Sequence, residues 1–585
     1  MALKIESDDE PTASAFGGRE RQAFPVLSAE QIEHLLPFGE RRQWRDSELL
    51  FEAGQPGPGM FVVLEGQVSV TRRDGLGNDL PVVVQGPGEF LAEVGQLSGK
   101  PAFVDGRAKG DVTALLIGSE RLRNLLVAEA EIGELIMRAL ILRRVSLIQT
   151  GAGGPLLIGD AKAPEMTRLT GFLTRNGQPH TVVDPSASAD SAALAVRYAK
   201  GASAPLLVVC PNGNLLNNPS DVEVAKAIGL CEFDSDPIRD MAIVGAGPAG
   251  LAAAVYAASE GLSVIALEAR AFGGQAGASS RIENYLGFPT GITGQALAGR
   301  AFVQAEKFGA EVVVPAQLVG LNCEAPVHVL VLADGRRVRA RTVVIASGAA
   351  YRRPAIADLP RFEGRGVSYW ASPIEGKLVT GNEIALVGGG NSAGQAAVFL
   401  ASQASKVHML IRGEGLAATM SRYLVDRIKA NPRIELHSHT ELVSLQGDRA
   451  ALSGVTWRTG KDGAEVQLAT LSLFLFVGAD PNTGWLGGCP IELDAHGFLC
   501  TGQEIAAATL AGPGWSDGRR PDSLECSVPG VFAIGDVRAG SVKRVAAAVG
   551  EGAAVVAQVH RYLAGQAESK VASAALAGIA TAVSA

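Results

Sequence analysis

The stretch Met241-Ala242-Ile243-Val244-Gly245-Ala246-Gly247-Pro248-Ala249-Gly250-Leu251 carries an apolar strand into a glycine loop and on into a helix expected to run to residue 259. The three glycines do different things. Gly245 permits the tight turn, Gly247 lets the backbone approach a pyrophosphate, and Gly250 lets helix and strand pack closely. The helix N-terminus adds amide donors and partial positive charge for phosphates. Glu268, at the end of the next apolar strand (263–267), is placed to accept from ribose hydroxyls. Strand, loop, helix and acid together describe a dinucleotide site.

A second loop, Gly388-Gly389-Gly390-Asn391-Ser392-Ala393, again follows an apolar strand (384–387) and enters a helix through Phe399. Where the first site has Glu268, the end of the strand at 406–411 has Arg412 and no acid. An arginine there suits a 2′-phosphate, which favours NADPH over NADH; the other reading is an ordinary solvated side chain. Arg422 lies downstream, in place to assist. After this unit the pattern returns to the first type near Gly530, so the second unit reads as a domain inserted into the first.

With 585 residues the chain exceeds what one hydrophobic core supports. Hydrophobic content of 47%, charged content of 19% and 71 glycines describe a globular chain rich in tight turns. A net charge of −8 offers no basic field for a polyphosphate backbone, so no nucleic-acid partner is expected. Residues 1–11 are polar and acidic, unlike a secretory signal, which points to the cytoplasm. Apolar runs such as 471–477 fall short of the roughly 20 residues that span a bilayer, so they read as buried strands and no membrane span is expected. Six cysteines occur without any CxxC spacing, which argues against a metal site and against a disulfide framework. Each is expected to serve as a small buried hydrophobe.

Residues 1–25 read as a disordered tail, with structure starting near Leu27. Short β-like runs at 49–52, 60–64, 68–72, 80–84 and 112–117 are separated by glycine-bearing turns, as in a small barrel, and one amphipathic helical stretch follows at 119–148. Strand and helix alternate over 155–230. The Ala-rich residues 566–585 read as a frayed helix or a flexible tail.

Over 241–562 these motifs extend into a longer series. Gly273-Gly274-Gln275, Ile282-Glu283-Asn284-Tyr285-Leu286-Gly287-Phe288-Pro289, Ala346-Ser347-Gly348-Ala349, Val477-Gly478-Ala479-Asp480-Pro481-Asn482-Thr483 and Gly530-Val531-Phe532-Ala533-Ile534-Gly535-Asp536-Val537 occur in order. In this the chain resembles the thioredoxin reductase family of flavoproteins. The resemblance implies FAD held by Gly245, Gly247, Pro248, Ala249, Gly250, Glu268, Gly274, Gln275, Asn284, Gly535 and Asp536. It also implies NADPH held by Gly388, Gly390, Asn391, Ser392, Ala393 and Arg412. Hydride transfer between cofactor rings needs no protein base, so no catalytic residue is expected. Where the family's last helix begins with Arg-Gln, this chain has Lys543-Arg544-Val545, which adds a cation near the flavin edge. The resemblance further implies a homodimer, and rotation of the NADPH domain about connections near 355–364 and 471–478.

One departure bears on the chemistry. After Gly364-Arg365-Gly366-Val367-Ser368-Tyr369, where the family carries a Cys-Ala-Thr-Cys-like motif, the chain reads Trp370-Ala371-Ser372-Pro373. An aromatic ring and an imide cannot make and break a disulfide. A related group places a single thiol in the first glycine loop, but that loop reads Pro248-Ala249 here. The expected activity is therefore NADPH oxidation with transfer to a non-dithiol acceptor such as ferredoxin or a quinone, and a small electron-transfer protein is the expected partner. A flavin-based redox sensor without turnover is an alternative, and thioredoxin reduction through a distant thiol such as Cys526 is a third.

The unit at 155–230 resembles a thioredoxin or glutaredoxin fold in Phe172-Leu173-Thr174-Arg175-Asn176-Gly177 and Ala204-Pro205-Leu206-Leu207-Val208-Val209, the second of which has room for a cis-proline at Pro205. Its loop at 159–164 holds no cysteine. The N-terminal module resembles a cyclic-nucleotide-binding domain over 86–101, where Glu93 matches the ribose-binding glutamate. The phosphate-binding arginine and its hydroxyl neighbour are replaced by Ala102 and Phe103. Cyclic-nucleotide binding and a degenerate barrel used for regulation or dimer contacts both remain open. The expected architecture is a multidomain α/β protein with two Rossmann-like domains. It comprises a tail (1–25), a cyclic-nucleotide-binding-like barrel (26–150) and a thioredoxin-like domain (151–235). These are followed by a discontinuous FAD domain (236–360 and 473–565), an inserted NADPH domain (361–472) and a second tail (566–585).

Overall fold

The computed structural model describes residues 19–73, 79–92, 94–199, 206–323, 327–448, 451–460, 463–515 and 518–583. These form two compact units, one built from the residues up to Phe233 with Val303–Pro315, the other from Asp234–Phe302 with Ala316–Ala585.

In the first unit, four antiparallel strands run in the order Glu40–Trp44, Asp105–Ile117, Met60–Arg73, Asp79–Gln85. The alternation of a β-strand sends successive side chains of Met60–Arg73 to opposite faces. Met60 and Val62 join a cluster with the following helices, whereas Phe61 and Val63 fill the barrel side with Phe51 and Val68. The helical stretch expected to be one is two, Ser119–Ala128 and Ala130–Thr150, with Glu129 at φ −107° and ψ 80° between them. Gly133 lets the two helices approach closely. A Cβ there would lie 2.8 Å from the Leu126 carbonyl oxygen, so the second helix folds back tightly on the first.

Order also starts earlier than expected. Glu20–Ala23 is a helical turn with Ala23 buried, and the Ala23 carbonyl accepts from Arg143 Nε at 2.8 Å. Burial brings the Arg143 guanidinium down to about 9, with Glu89 opposing the shift. The α/β part of this unit orders its strands Leu215–Asn217, Leu206–Val209, Leu156–Gly159, Thr181–Val183. Leu156–Gly159 runs parallel to Thr181–Val183 and antiparallel to Leu206–Val209. The strand Leu215–Asn217 was not anticipated; it forms by hairpin return onto Leu206–Val209. Glu93 and Pro205 both lie outside the described residues.

In the second unit, Ile238–Val244 runs parallel between Val264–Leu267 and Arg337–Ile345, with Val531–Ala533 parallel on the far side of Arg337–Ile345. His328–Leu332 and Leu318–Asn322 extend the sheet antiparallel. The inserted lobe has its own parallel sheet, ordered Val367–Ser368, Leu473–Leu475, Glu383–Val387, Lys406–Leu410, Ile434–His437, and a three-stranded antiparallel sheet over 440–469. Leu473–Leu475 thus belongs to the inserted sheet, and the domain boundary expected at 473 moves beyond it. The two crossings between the lobes pair with each other: Ala349–Tyr351 lies antiparallel to Ala479–Pro481, and Arg352 bonds Asp480 at 2.6 Å. The last helix, Val545–Val583, runs through most of the Ala-rich stretch, which takes the helical of its two expected forms.

The cysteine expectation is corrected at two positions. Cys323 and Cys489 form a disulfide, with Cα atoms 6.6 Å apart and a sequence separation of 166. A search for short spacings cannot find this pair, because the fold alone brings the end of Leu318–Asn322 beside the loop after Gly484–Leu486. Cys210, Cys231, Cys500 and Cys526 are buried outside any disulfide, as expected of small hydrophobes.

Candidate functional site

The first glycine loop closes on contacts that admit no side chain. Gly245 has φ +102°, and a Cβ there would meet the Ala346 carbonyl oxygen at 2.4 Å. At Gly250 a Cβ would lie 1.9 Å from the Gly245 carbonyl oxygen, so the helix Pro248–Ser259 leaves the loop in direct contact with the turn. Gly247 caps that helix, and a Cβ on Gly274 (φ +55°) would stand only 3.1 Å from the Gly247 Cα. Two bare backbones therefore face each other, as close approach of a pyrophosphate requires.

The remaining flavin-side candidates converge on this loop from distant strands. Glu268 accepts from the Ala246 amide at 2.9 Å and from the Arg270 amide at 2.9 Å, which fixes its carboxylate at the strand end. Gln275 donates to the Ala349 carbonyl. Gly535 meets the first turn of Pro248–Ser259, where its Cβ would lie 3.0 Å from the Ala249 Cβ, and its amide donates to Glu551 at 2.6 Å. Burial holds the Asp536 carboxyl above the usual carboxylate range, with the Lys543 ammonium working against it. Lys543 Nζ donates to the Asp536 carbonyl at 2.7 Å and to Ser541 Oγ at 2.6 Å, over the Phe498 ring. The added cation is thus anchored at Asp536 by its neighbours' backbone. Arg544 is exposed, and Val545 opens the last helix.

Asn284 lines a cavity of about 540 Å³ with Arg281, Glu283, Tyr423 and Arg427, the last two from the inserted lobe. Among the described residues the buried Tyr423 hydroxyl has no hydrogen-bond partner. Nothing in the sequence marked Tyr423 or Arg427, since only the folding of the insertion brings them to Asn284.

The second loop repeats the logic of the first. Gly388 has φ +141°, with a Cβ contact of 2.4 Å to the Phe476 carbonyl oxygen, and Gly390 caps the helix Asn391–Leu400 with open space where a side chain would be. Asn391 Oδ1 accepts from the Ser421 amide at 2.7 Å, and Thr419 Oγ1 donates to the Gly389 carbonyl at 2.7 Å, so the loop after Arg412 is tied to the glycines. Ser392 and Arg412 are exposed, whereas Ala393 is fully buried in the lobe's core and offers only its backbone.

At the position of the missing dithiol, Trp370 Nε1 donates to Glu375 Oε1 at 2.9 Å and the Ser372 amide donates to Glu375 Oε2 at 2.9 Å. Tyr351 stacks on Tyr369 at 5.9 Å and lies 6.4 Å from the Trp370 ring. Tyr369 donates to Glu363 at 2.6 Å, and burial with the Glu363 charge raises its phenol to about 12. This is an aromatic cluster tied down by two carboxylates.

The family model for pyridine nucleotide-disulphide oxidoreductases matches residues 239–552, more than half of the chain. The chain belongs to that family. Cyclic nucleotide-binding domains match at 41–129. NADPH-dependent thioredoxin reductase 3 of Arabidopsis thaliana is 33% identical over 336 residues, which are 56% of this chain and 58% of that protein. The thioredoxin reductase of Streptomyces clavuligerus is 32% identical over 334 residues, 57% of this chain and 96% of the relative. Among solved structures, Lactococcus lactis thioredoxin reductase in its FR conformation superposes with a TM-score of 0.50 at 26% identity, covering 56% of this chain and 99% of that one. This pyridine nucleotide-disulphide oxidoreductase is a thioredoxin reductase-like flavoprotein with a cyclic-nucleotide-binding-type domain at its N-terminal side. The thioredoxin reductase family uses FAD and NADPH, and the bare glycine cradles at 245–250 and 388–390 fit two dinucleotides. Among the described residues no helix is long and apolar enough to cross a membrane.

Proposed function

We propose that this flavoprotein oxidises NADPH and passes the electrons to an acceptor other than a dithiol at its own residues 370–373. The observation that carries this is the clamping of Trp370 and Ser372 by Glu375, which fills the position with an aromatic cluster. Bound FAD supplies a two-electron carrier between NADPH and the acceptor. Gly245, Gly247, Pro248, Ala249, Gly250, Glu268, Gly274, Gln275, Asn284, Gly535 and Asp536 hold it, and Lys543 keeps a positive charge beside Asp536. Gly388, Gly390, Asn391, Ser392 and Arg412 hold NADPH. Arg427 and Glu283 keep the inserted lobe in the orientation from which the nicotinamide is used.

Thioredoxin reduction through Cys526 loses support, since that thiol is wholly buried and pushed up far beyond the usual thiol range. Ferredoxin, a quinone or a similar carrier is the acceptor, the N-terminal module regulates turnover, and the working form is a cytoplasmic homodimer. The purified protein should be yellow and bleach anaerobically with NADPH. Steady-state NADPH consumption with ferredoxin or a quinone, and none with thioredoxin, supports the proposal; brisk thioredoxin-dependent insulin precipitation sinks it.

A further inference from the structure

Cys323 and Cys489 are both only half-buried, unlike the other four cysteines. Their disulfide opens on a cavity of about 500 Å³, which Gly320, Val331, Gly487 and Gly488 also line. A Cβ added at Gly320, Gly487 or Gly488 would find open space, so no side chain from these three positions screens the sulfurs. Thiol–disulfide exchange needs such access, because the attacking sulfur must reach one sulfur of the bond. This pair also brackets the inserted lobe, joining the segment before it to the segment after it.

We infer that Cys323–Cys489 is a thiol–disulfide exchange site for a dithiol-bearing protein or peptide of the CxxC class, distinct from the position that Trp370 occupies. The partner's thiolate bonds to one of the two sulfurs, and the other leaves and takes up a proton. The partner's second thiol then displaces the first, giving a partner disulfide and two cysteine thiols. Two electrons and two protons pass from partner to chain. The step involves neither FAD nor NADPH, so it stands apart from the proposed NADPH oxidation.

The test uses the air-oxidised holoprotein, treated with dithiothreitol or with a reduced CxxC peptide, then labelled under native conditions with a maleimide and mapped by mass spectrometry. Cys323 and Cys489 should both become labelled, while Cys210, Cys231, Cys500 and Cys526 stay protected. The rate should rise by about tenfold per pH unit below the attacking thiol's pKa. A Cys489→Ser holoprotein should form one mixed disulfide, at Cys323, with a CxxS peptide whose single thiol is activated as an aryl disulfide. Labelling that requires unfolding, or labelling of both residues before any reductant is added, overturns the inference.

Discussion

Arg427, on the inserted lobe's helix Arg422–Ala430, holds Glu283 of the flavin-side segment through one guanidinium nitrogen placed 2.7 Å from each carboxylate oxygen. The pair spans the two lobes of the second unit at the cavity that Asn284 and Tyr423 share. Arg427 is about half exposed and Glu283 largely covered, so the contact is worth about 1 kcal/mol at most. That is enough to bias an orientation without locking it. Arg427→Ala should slow anaerobic flavin reduction by NADPH by about two- to fivefold in stopped flow. An unchanged rate would mean the pair does not orient the lobe.

Gly250→Ala tests the cradle. The added Cβ would collide with the Gly245 carbonyl, and backbone cannot yield as a side-chain tip can. A loss of about 1–3 kcal/mol or somewhat more in stability, the range for overpacking, is expected together with a protein purified colourless. Gly299, in the helix Gly294–Lys307, is the control. A Cβ there meets nothing within 4 Å, so Gly299→Ala should keep its FAD and its melting temperature should hold or rise.

Arg412→Ala should discriminate between nicotinamide cofactors. Removing one charge-assisted hydrogen bond to a 2′-phosphate costs about 1.5–3 kcal/mol, so KM for NADPH should rise by about tenfold or more. KM for NADH should stay where it is. Equal effects on both would assign Arg412 to the solvated surface.

His328 gives the fold an acid limit. It begins the strand His328–Leu332, is fully buried, and burial lowers its imidazole to about 4. The unfolded chain binds a proton there near pH 6.5, whereas the folded chain does not. Stability from this group is therefore complete above about pH 6.5 and is lost progressively as pH falls toward 4, on the order of 3 kcal/mol in all. Denaturant midpoints measured across that window should fall for the wild type and much less for His328→Leu.

The first glycine cradle was legible in the sequence. Gly245, Gly247, Gly250 and Glu268 sit within one strand-loop-helix-strand unit, where local spacing and backbone sterics decide the outcome. The second loop was legible for the same reason. The barrel strands read as fragments because glycine-bearing segments such as Leu64-Glu65-Gly66-Gln67 look like turns, although Met60–Arg73 is a single strand whose register shifts there. Leu473–Leu475 falls in the other lobe from the one expected, since an apolar run of that length suits either parallel sheet.

Local order along the chain determined the two dinucleotide cradles, the inserted arrangement and the absence of a CxxC, because each depends on residues a few positions apart. Tertiary structure alone decided the partnership of Cys323 with Cys489, of Arg427 with Glu283, and of the two interlobe crossings at 349–351 and 479–481. Those contacts join residues far apart along the chain. No periodicity or spacing encodes them, and they exist only once both sheets have closed around their own apolar strands.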